Sequence, residues 1–310
     1  MHSAYFDANV SDRIRLQRLY DGQVFIYSPK PSTLELVGLA REMIEEAFGN
    51  VDPRQAQHHM PVEQYVAICA PLKPKFIHHP KTKKIIQGIL EEFKCDLQKT
   101  YLDVPRLRMV TSDGYLTSGV GYAHHPHRDT WYSAPQAQIN WWLPIYDIET
   151  EMSMAFHPAY WDKPLKNGSR EFNYYEWNAV GRKTAATQIK TDTRKQPKPE
   201  EPVELWPQVR FVPPAGGVIL FAAAQLHSTV PNTAGLSRYS IDFRTVNIDD
   251  VKNRVGAHNI DSECTGTSLR DFMRGTDLER VPEEIASLYD TAKPSDGELI
   301  FKPEMAAGKV

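Results

Sequence analysis

His127 and Asp129 stand two apart in the run His124-His125-Pro126-His127-Arg128-Asp129. In an extended segment residues i and i+2 point to the same face, so this imidazole and carboxylate converge on one point. The pair can hold a divalent metal if a third ligand arrives from elsewhere in the chain, and His227 is placed to supply it. The apolar stretch Val218-Ile219-Leu220-Phe221 follows Gly216-Gly217 and leads into Leu226-His227-Ser228, the pattern of a buried strand that delivers a histidine just past its end. Two histidines and one carboxylate form a facial triad, which leaves open positions on the metal for reacting molecules. His124 and His125 compete as donors, but neither stands two before an acid. Arg128, between the two ligands, should point away from the metal and serve as an ion-pair partner. The pairs His58-His59 and His78-His79 read as surface or loop residues.

A second constellation follows His227 by eleven residues, at Arg238-Tyr239-Ser240. Arg238 and Ser240 share one face of the strand that they open, a guanidinium fork beside a hydroxyl, which suits a carboxylate. Arg244 has the same parity and is the fallback for that role. With these elements the chain resembles the Fe(II)/2-oxoglutarate-dependent dioxygenase superfamily, in particular its phytanoyl-CoA-hydroxylase-like group, over roughly residues 105–247. The resemblance implies that His127, Asp129 and His227 bind Fe(II), and that Arg238 with Ser240 holds the distal carboxylate of 2-oxoglutarate. O2 is then the other co-substrate, and a substrate C–H is oxidised with release of succinate and CO2. Family members that halogenate have a small residue in place of the metal carboxylate. Asp129 therefore points to hydroxylation or a related oxidation such as desaturation.

The elements that must position these groups change character along the chain. Residues 1–104 read as a helical lead-in, with a short strand at Gly22 to Tyr27. Ser32 and Glu35 suggest a capping box before an amphipathic helix that Gly49-Asn50 ends. A second helix follows Pro80. From 105 to 247 short strands separated by turn clusters replace the helices: Leu107 to Val110, Gln136 to Tyr146, Val209 to Val212, Val218 to Ala222 and Tyr239 to Val246. Strands without intervening helices argue for a sandwich or barrel. The expected class is mainly β with α (α+β), and the resemblance makes the core a double-stranded β-helix, or jelly roll, with N-terminal helices packed against it. A long insertion spans 160–207 and an extension spans 248–310, all within one domain.

Alternation puts Gln138, Asn140 and Trp142 on one strand face, and the two polar groups are candidates to touch 2-oxoglutarate or substrate. Trp131, Tyr132, Trp142 and His157 are further candidates to line the pocket and touch substrate. The insertion mixes aromatic residues with nine lysines and arginines that outnumber its acids. That charge suits an anionic or polar small substrate, and a solvated loop explains it equally.

Composition removes other classes. A net charge of −3 lacks the basic excess of a nucleic-acid binder, and three scattered cysteines cannot make a disulfide framework or a thiolate zinc site. Cys69 and Cys95 fall in helical patterns as inert core thiols. No apolar run reaches the roughly 18 residues of a membrane span, and the N-terminus lacks a signal-peptide profile. The expectation is a cytoplasmic enzyme acting on a small molecule, without nucleic-acid or membrane partners; homodimerisation stays open. Two other readings remain: a cupin-like metal-dependent isomerase or hydrolase, which has no need of Arg238 and Ser240, and a metal-free β-sandwich binding module using Trp and Tyr as stacking platforms.

Overall fold

The computed structural model describes residues 3–290. Its strands are β1 (Ala4–Phe6), β2 (Val24–Tyr27), β3 (Thr100–Leu102), β4 (Arg106–Val110), β5 (Ile139–Pro144), β6 (Met154–Phe156), β7 (Val209–Arg210), β8 (Val218–Ala222), β9 (His227–Thr229), β10 (Arg238–Asn247) and β11 (Met273–Arg274). The large sheet runs β1-β2-β8-β5-β10-β3-β11, with β4 also paired to β10, and the small sheet runs β7-β6-β9. All pairings are antiparallel except β1 with β2. Four longer helices, α1 (Asp12–Tyr20), α2 (Pro31–Phe48), α3 (Val62–His78) and α4 (Pro80–Glu92), come from the lead-in.

The period of two explains how the large sheet is covered on both faces. Phe25, Tyr27, Leu107, Met109, Trp141, Leu143, Leu220, Tyr239, Ile241 and Phe243 belong to one buried cluster with Leu36, Tyr65, Phe76 and Ile89 of the helices. Trp141 stacks on Phe243 and meets Phe93, just past α4, edge to face. The intervening residues Val24, Ile26, Trp142, Ile219 and Phe221 pack instead against Met154 and Phe156 of the small sheet. Strands buried on both faces read as nearly continuous apolar runs, which is why β8 is legible in the sequence. Along β4 and β10 the same inward parity carries Arg106, Arg108, Arg238, Ser240, Asp242 and Arg244. The space between the sheets is therefore apolar on one side and polar on the other.

Several expectations need adjustment. The lead-in contributes β1, β2 and β3 to the large sheet as well as helices. The capping box at Ser32 does not form: α2 starts at Pro31, whose fixed φ suits the first helical position. Thr33 Oγ1 accepts from Lys30 N–H at 2.9 Å, while Ser32 N–H donates to Glu92 at 3.1 Å. Gly49 does end that helix, at φ +61°. Helix α3, which holds Cys69, carries Pro71 and Pro74 in its interior, where each removes a backbone hydrogen bond. The extension returns to the sheet through β11 and has a helical turn at Glu283–Ala286; its part from residue 291 lies outside the described residues. No described helix is long and apolar enough to cross a membrane.

The insertion is not a free loop. Lys190 Nζ donates to the carbonyls of Gly114 and Tyr115 at 2.9 and 2.8 Å, and Gly119 N–H donates to Asp192 at 3.3 Å. Gly119 has φ +61°, and a Cβ there would lie 2.2 Å from Ala185 O and 2.3 Å from Gln188 O. Only glycine allows that approach. Gly119→Ala is expected to lift the insertion, destabilise the protein by about 1–3 kcal/mol and speed limited proteolysis between 182 and 198. Unchanged cleavage there would contradict the docking role of Gly119.

Candidate metal centre

Backbone pairing brings the triad together. His127 N–H donates to His227 O at 2.9 Å and His227 N–H returns to His127 O at 3.0 Å, so the two histidines face each other as in an antiparallel ladder. Asp129 N–H is held by Ala223 O at 2.9 Å, just past β8. Each ring is then oriented by a carbonyl two residues back in the chain: His127 Nδ1 lies 2.8 Å from His125 O, and His227 Nδ1 3.0 Å from Gln225 O. An imidazole that donates through Nδ1 presents the lone pair of Nε2, the orientation that metal sites use. One donor atom from each of His127, Asp129 and His227 lies within 4.8 Å of the others, and all three residues are buried.

The electrostatics suit a cation. Burial holds His227 down to about 3, with the neighbouring His127 acting in the same direction, so its ring is neutral and available as a ligand. Burial raises Asp129, but its contact with His127 and the charge of Arg244 outweigh that and keep the carboxylate below its usual range. Arg244 Nε stands 4.0 Å from Asp129 Oδ2. Gln138 Nε2 donates to Asp129 Oδ2 at 3.3 Å and to Asn140 Oδ1 at 3.0 Å. Two imidazoles and one carboxylate, each with its outer contacts made, form a donor set that fits Fe(II).

Arg128 does turn away from the triad. Its Nε lies 3.0 Å from Asp261 Oδ2, and the two side chains are only 1% and 3% exposed. Its other nitrogens donate to the carbonyls of Ala224, Tyr160 and Lys163. Asp261 also accepts from Trp131 Nε1 at 2.7 Å and Leu165 N–H at 3.1 Å. One carboxylate of the extension thus locks the residue between two metal ligands.

The triad opens into a cavity of about 730 Å³. The inner faces of β4, β5 and β10 form part of its wall, with Ala70, Lys73, Pro74 and Ile77 of α3 on another side and the insertion from Phe172 to Gln196 on a third. Eight lysines and arginines line it against three aspartates. Several are paired: Arg106 with Asp103 at 2.5 Å, Arg108 with Asp242 at 2.5 Å, and Arg244 with Asp103 at 3.3 Å. Arg238 is different. It is 5% exposed, sits over the Trp142 ring and donates to Met152 O at 3.2 Å, and it makes no ion pair among the described residues. Its Nε, Ser240 Oγ and Asn140 Nδ2 are buried without partners. Burial also pulls Arg238 down to about 10, a measure of how poorly its charge is compensated by the protein alone.

Gln138, Asn140, Trp142, Tyr132 and Arg238 line the cavity with the triad. Ser240 is fully buried on the same strand face and is not among the lining residues. Trp131 and His157 do not line it either. Trp131 is held inside by Asp261 and packs with Tyr160, Leu165 and Leu226, while His157 Nε2 turns to Ser228 Oγ at 3.0 Å. The sequence reading missed Asp103, Asp242, Arg106 and Arg108; inward parity on β4 and β10 was the available signal for the last three, while Asp103 lies between β3 and β4 and carried none. Asp261 carried none, because it lies in an irregular segment distant in sequence.

Comparison with protein-family models and with curated proteins finds no match. Among solved structures, the α-ketoglutarate-dependent epimerase SnoN from nogalamycin biosynthesis has 14% identity over 76% of this chain and 85% of its own, with TM-score 0.38. EvdO2 from Micromonospora carbonacea var. aurantiaca has 12% identity over 78% and 93%, with TM-score 0.43. AviO1 from Streptomyces viridochromogenes has 12% identity over 77% and 96%, with TM-score 0.39. SnoN has been solved with Fe3+ and α-ketoglutarate, and EvdO2 with 2-oxoglutarate. All of these TM-scores lie below 0.5.

Asp261→Ala leaves the Arg128 charge buried without its carboxylate. A loss of about 3–5 kcal/mol in denaturant unfolding is expected, together with metal affinity weakened roughly 10- to 100-fold. Wild-type stability and wild-type metal retention would show that Asp261 has no part in holding the ligand segment.

Proposed function

We propose that the chain is a non-haem Fe(II)- and 2-oxoglutarate-dependent oxygenase of the phytanoyl-CoA-hydroxylase-like group, built on a jelly-roll core. It oxidises an unactivated C–H of a small molecule, by hydroxylation or desaturation. The observation that carries this reading is the presence, in one cavity, of a buried two-His-one-carboxylate triad and a buried guanidinium without an acidic partner. A bare metal hydrolase or isomerase needs the first and not the second.

His127, Asp129 and His227 would hold Fe(II), and Arg238 with Ser240 and Asn140 would hold 2-oxoglutarate. The unpartnered Nε of Arg238 fits a carboxylate of that co-substrate and Asn140 Nδ2 is a second free donor on the same wall, while Ser240 Oγ lies behind Arg238 on the same strand face. Bound together, iron and 2-oxoglutarate supply the activation of O2, with succinate and CO2 as by-products. The chain's own part is orientation and exclusion of water. The carbonyls of His125 and Gln225 fix the imidazoles, Gln138 and Arg244 steady the Asp129 carboxylate, and the insertion closes the cavity over the site. The Asp129 carboxylate occupies the position that a halide would need, which favours hydroxylation or desaturation over halogenation. Cytoplasmic residence and a small-molecule substrate belong to the same proposal.

Anaerobic addition of Fe(II) and 2-oxoglutarate should produce a weak visible charge-transfer band, and admission of O2 should yield succinate. His227→Ala should lose iron. Arg238→Ala should keep iron while its affinity for 2-oxoglutarate falls roughly 30- to 1000-fold. No band and no succinate would sink the reading, and metal binding with an Arg238→Ala protein unchanged toward 2-oxoglutarate would favour the isomerase or hydrolase class.

A further inference from the structure

The insertion brings a second set of unsatisfied polar groups into the cavity. Trp177 to Arg182 makes one wide turn, closed by Arg182 N–H donating to Trp177 O at 3.0 Å. Asn178 and Arg182 stand four apart on this turn and both line the cavity. Asn178 is 4% exposed, and neither its amide nitrogen nor its amide oxygen has a partner. Arg182 Nε is buried and unpartnered, and the guanidinium makes no ion pair among the described residues. Ser268, 8% exposed, lines the same cavity with its Oγ unpaired. Buried polar groups are nearly always satisfied, so three unsatisfied side chains around one space point to a missing ligand.

Charge narrows what that ligand is. Eight basic side chains line the cavity against three acidic ones. Arg106, Arg108 and Arg244 share Asp103 and Asp242, and Arg194 is paired with Asp192, whereas Arg182 and Arg238 make no ion pair among the described residues. A divalent cation and dianionic 2-oxoglutarate cancel each other when both bind, so the charge of Arg182 is left over. Arg238 has Arg108 and Asp242 as its charged neighbours, whereas Arg182 has Arg106, Arg244 and Asp271. In the β4–β10 ladder Arg238 stands opposite Val110, whereas Arg106 stands opposite Asp242, four residues further along, so one small dianion bound at Arg238 leaves the groups at Arg182 unmet.

We propose that Asn178, Arg182 and Ser268 form the recognition subsite for the primary substrate, and that this substrate is a small molecule bearing an oxyanion, carboxylate or phosphate. Arg182 takes the oxyanion, Ser268 Oγ and the Asn178 amide N–H donate to it or to a neighbouring oxygen, and the Asn178 carbonyl accepts from an adjacent donor on the ligand. The name "primary substrate" rests on the oxygenase reading; the oxyanion site itself does not.

The test uses the full chain loaded anaerobically with Fe(II) and one equivalent of 2-oxoglutarate, titrated in a calorimeter with benzoate, phenyl phosphate and neutral benzamide. At least one anion should bind at least about tenfold more tightly than benzamide, and the better anion identifies the group. Arg182→Ala should lose this preference while still binding 2-oxoglutarate, Arg182→Lys should recover part of it, and Arg238→Ala should show the reverse pattern. Thermal melts check that each variant is folded. Equal binding of benzamide, failure of both anions to bind, or anion binding unaffected in Arg182→Ala would overturn the subsite. Arg182-dependent anion binding in a wild-type protein that takes up no iron or 2-oxoglutarate would uphold the subsite and remove the oxygenase reading.

Discussion

The two backbone hydrogen bonds between His127 and His227 are the constraint on which the site depends. They tie the segment before Asp129 to the start of β9, so that ligands one hundred residues apart become direct neighbours. Side-chain packing could tolerate a shift of a few tenths of an ångström, but a ladder register is either right or wrong by a whole residue. A slip of one residue on either side would turn a histidine toward the opposite face. Ring orientation, the neutral state of His227 and the approach of Asp129 all follow from that register.

The large sheet then divides the work between its faces. One face is committed to the helices through an aromatic and aliphatic cluster that runs from Phe25 to Phe243. The other is apolar where β2, β8 and β5 meet the small sheet, and becomes charged toward β10 and β4. Burying so many guanidinium groups is tolerable because Asp103 and Asp242 each serve more than one of them. Those networks are closed, and this is why Arg238 and Arg182 stand out.

Much of the site was legible in the sequence because it obeys local rules. His127 and Asp129 lie two apart, Gln138, Asn140 and Trp142 alternate, and β8 is a plain apolar run. Parity alone also placed Arg238 and Arg244 on the inward face. What could not be read were relations between distant segments. Nothing in the sequence around Asp261 announces that it holds Arg128 and Trp131. Trp131, adjacent to the ligands, was drawn into the interior by that carboxylate. Helix α3, where Cys69 was read as helical, runs through Pro71 and Pro74, whose lost hydrogen bonds are outweighed by buried Tyr65, Cys69, Leu72 and Phe76.

The contact at Gly119 has a wider consequence. There the insertion rests on a glycine through its own main-chain oxygens, at Ala185 and Gln188, and Lys190 and Asp192 add side-chain bonds to this attachment. The cavity-facing side chains of the insertion, such as Asn178 and Arg182, take no part in that attachment, and the triad is carried by other segments. The fold therefore lets the wall of the cavity change while the segments that carry the triad keep their places, and variation among kindred chains should concentrate in the insertion's cavity-facing side chains while its glycine foothold stays fixed.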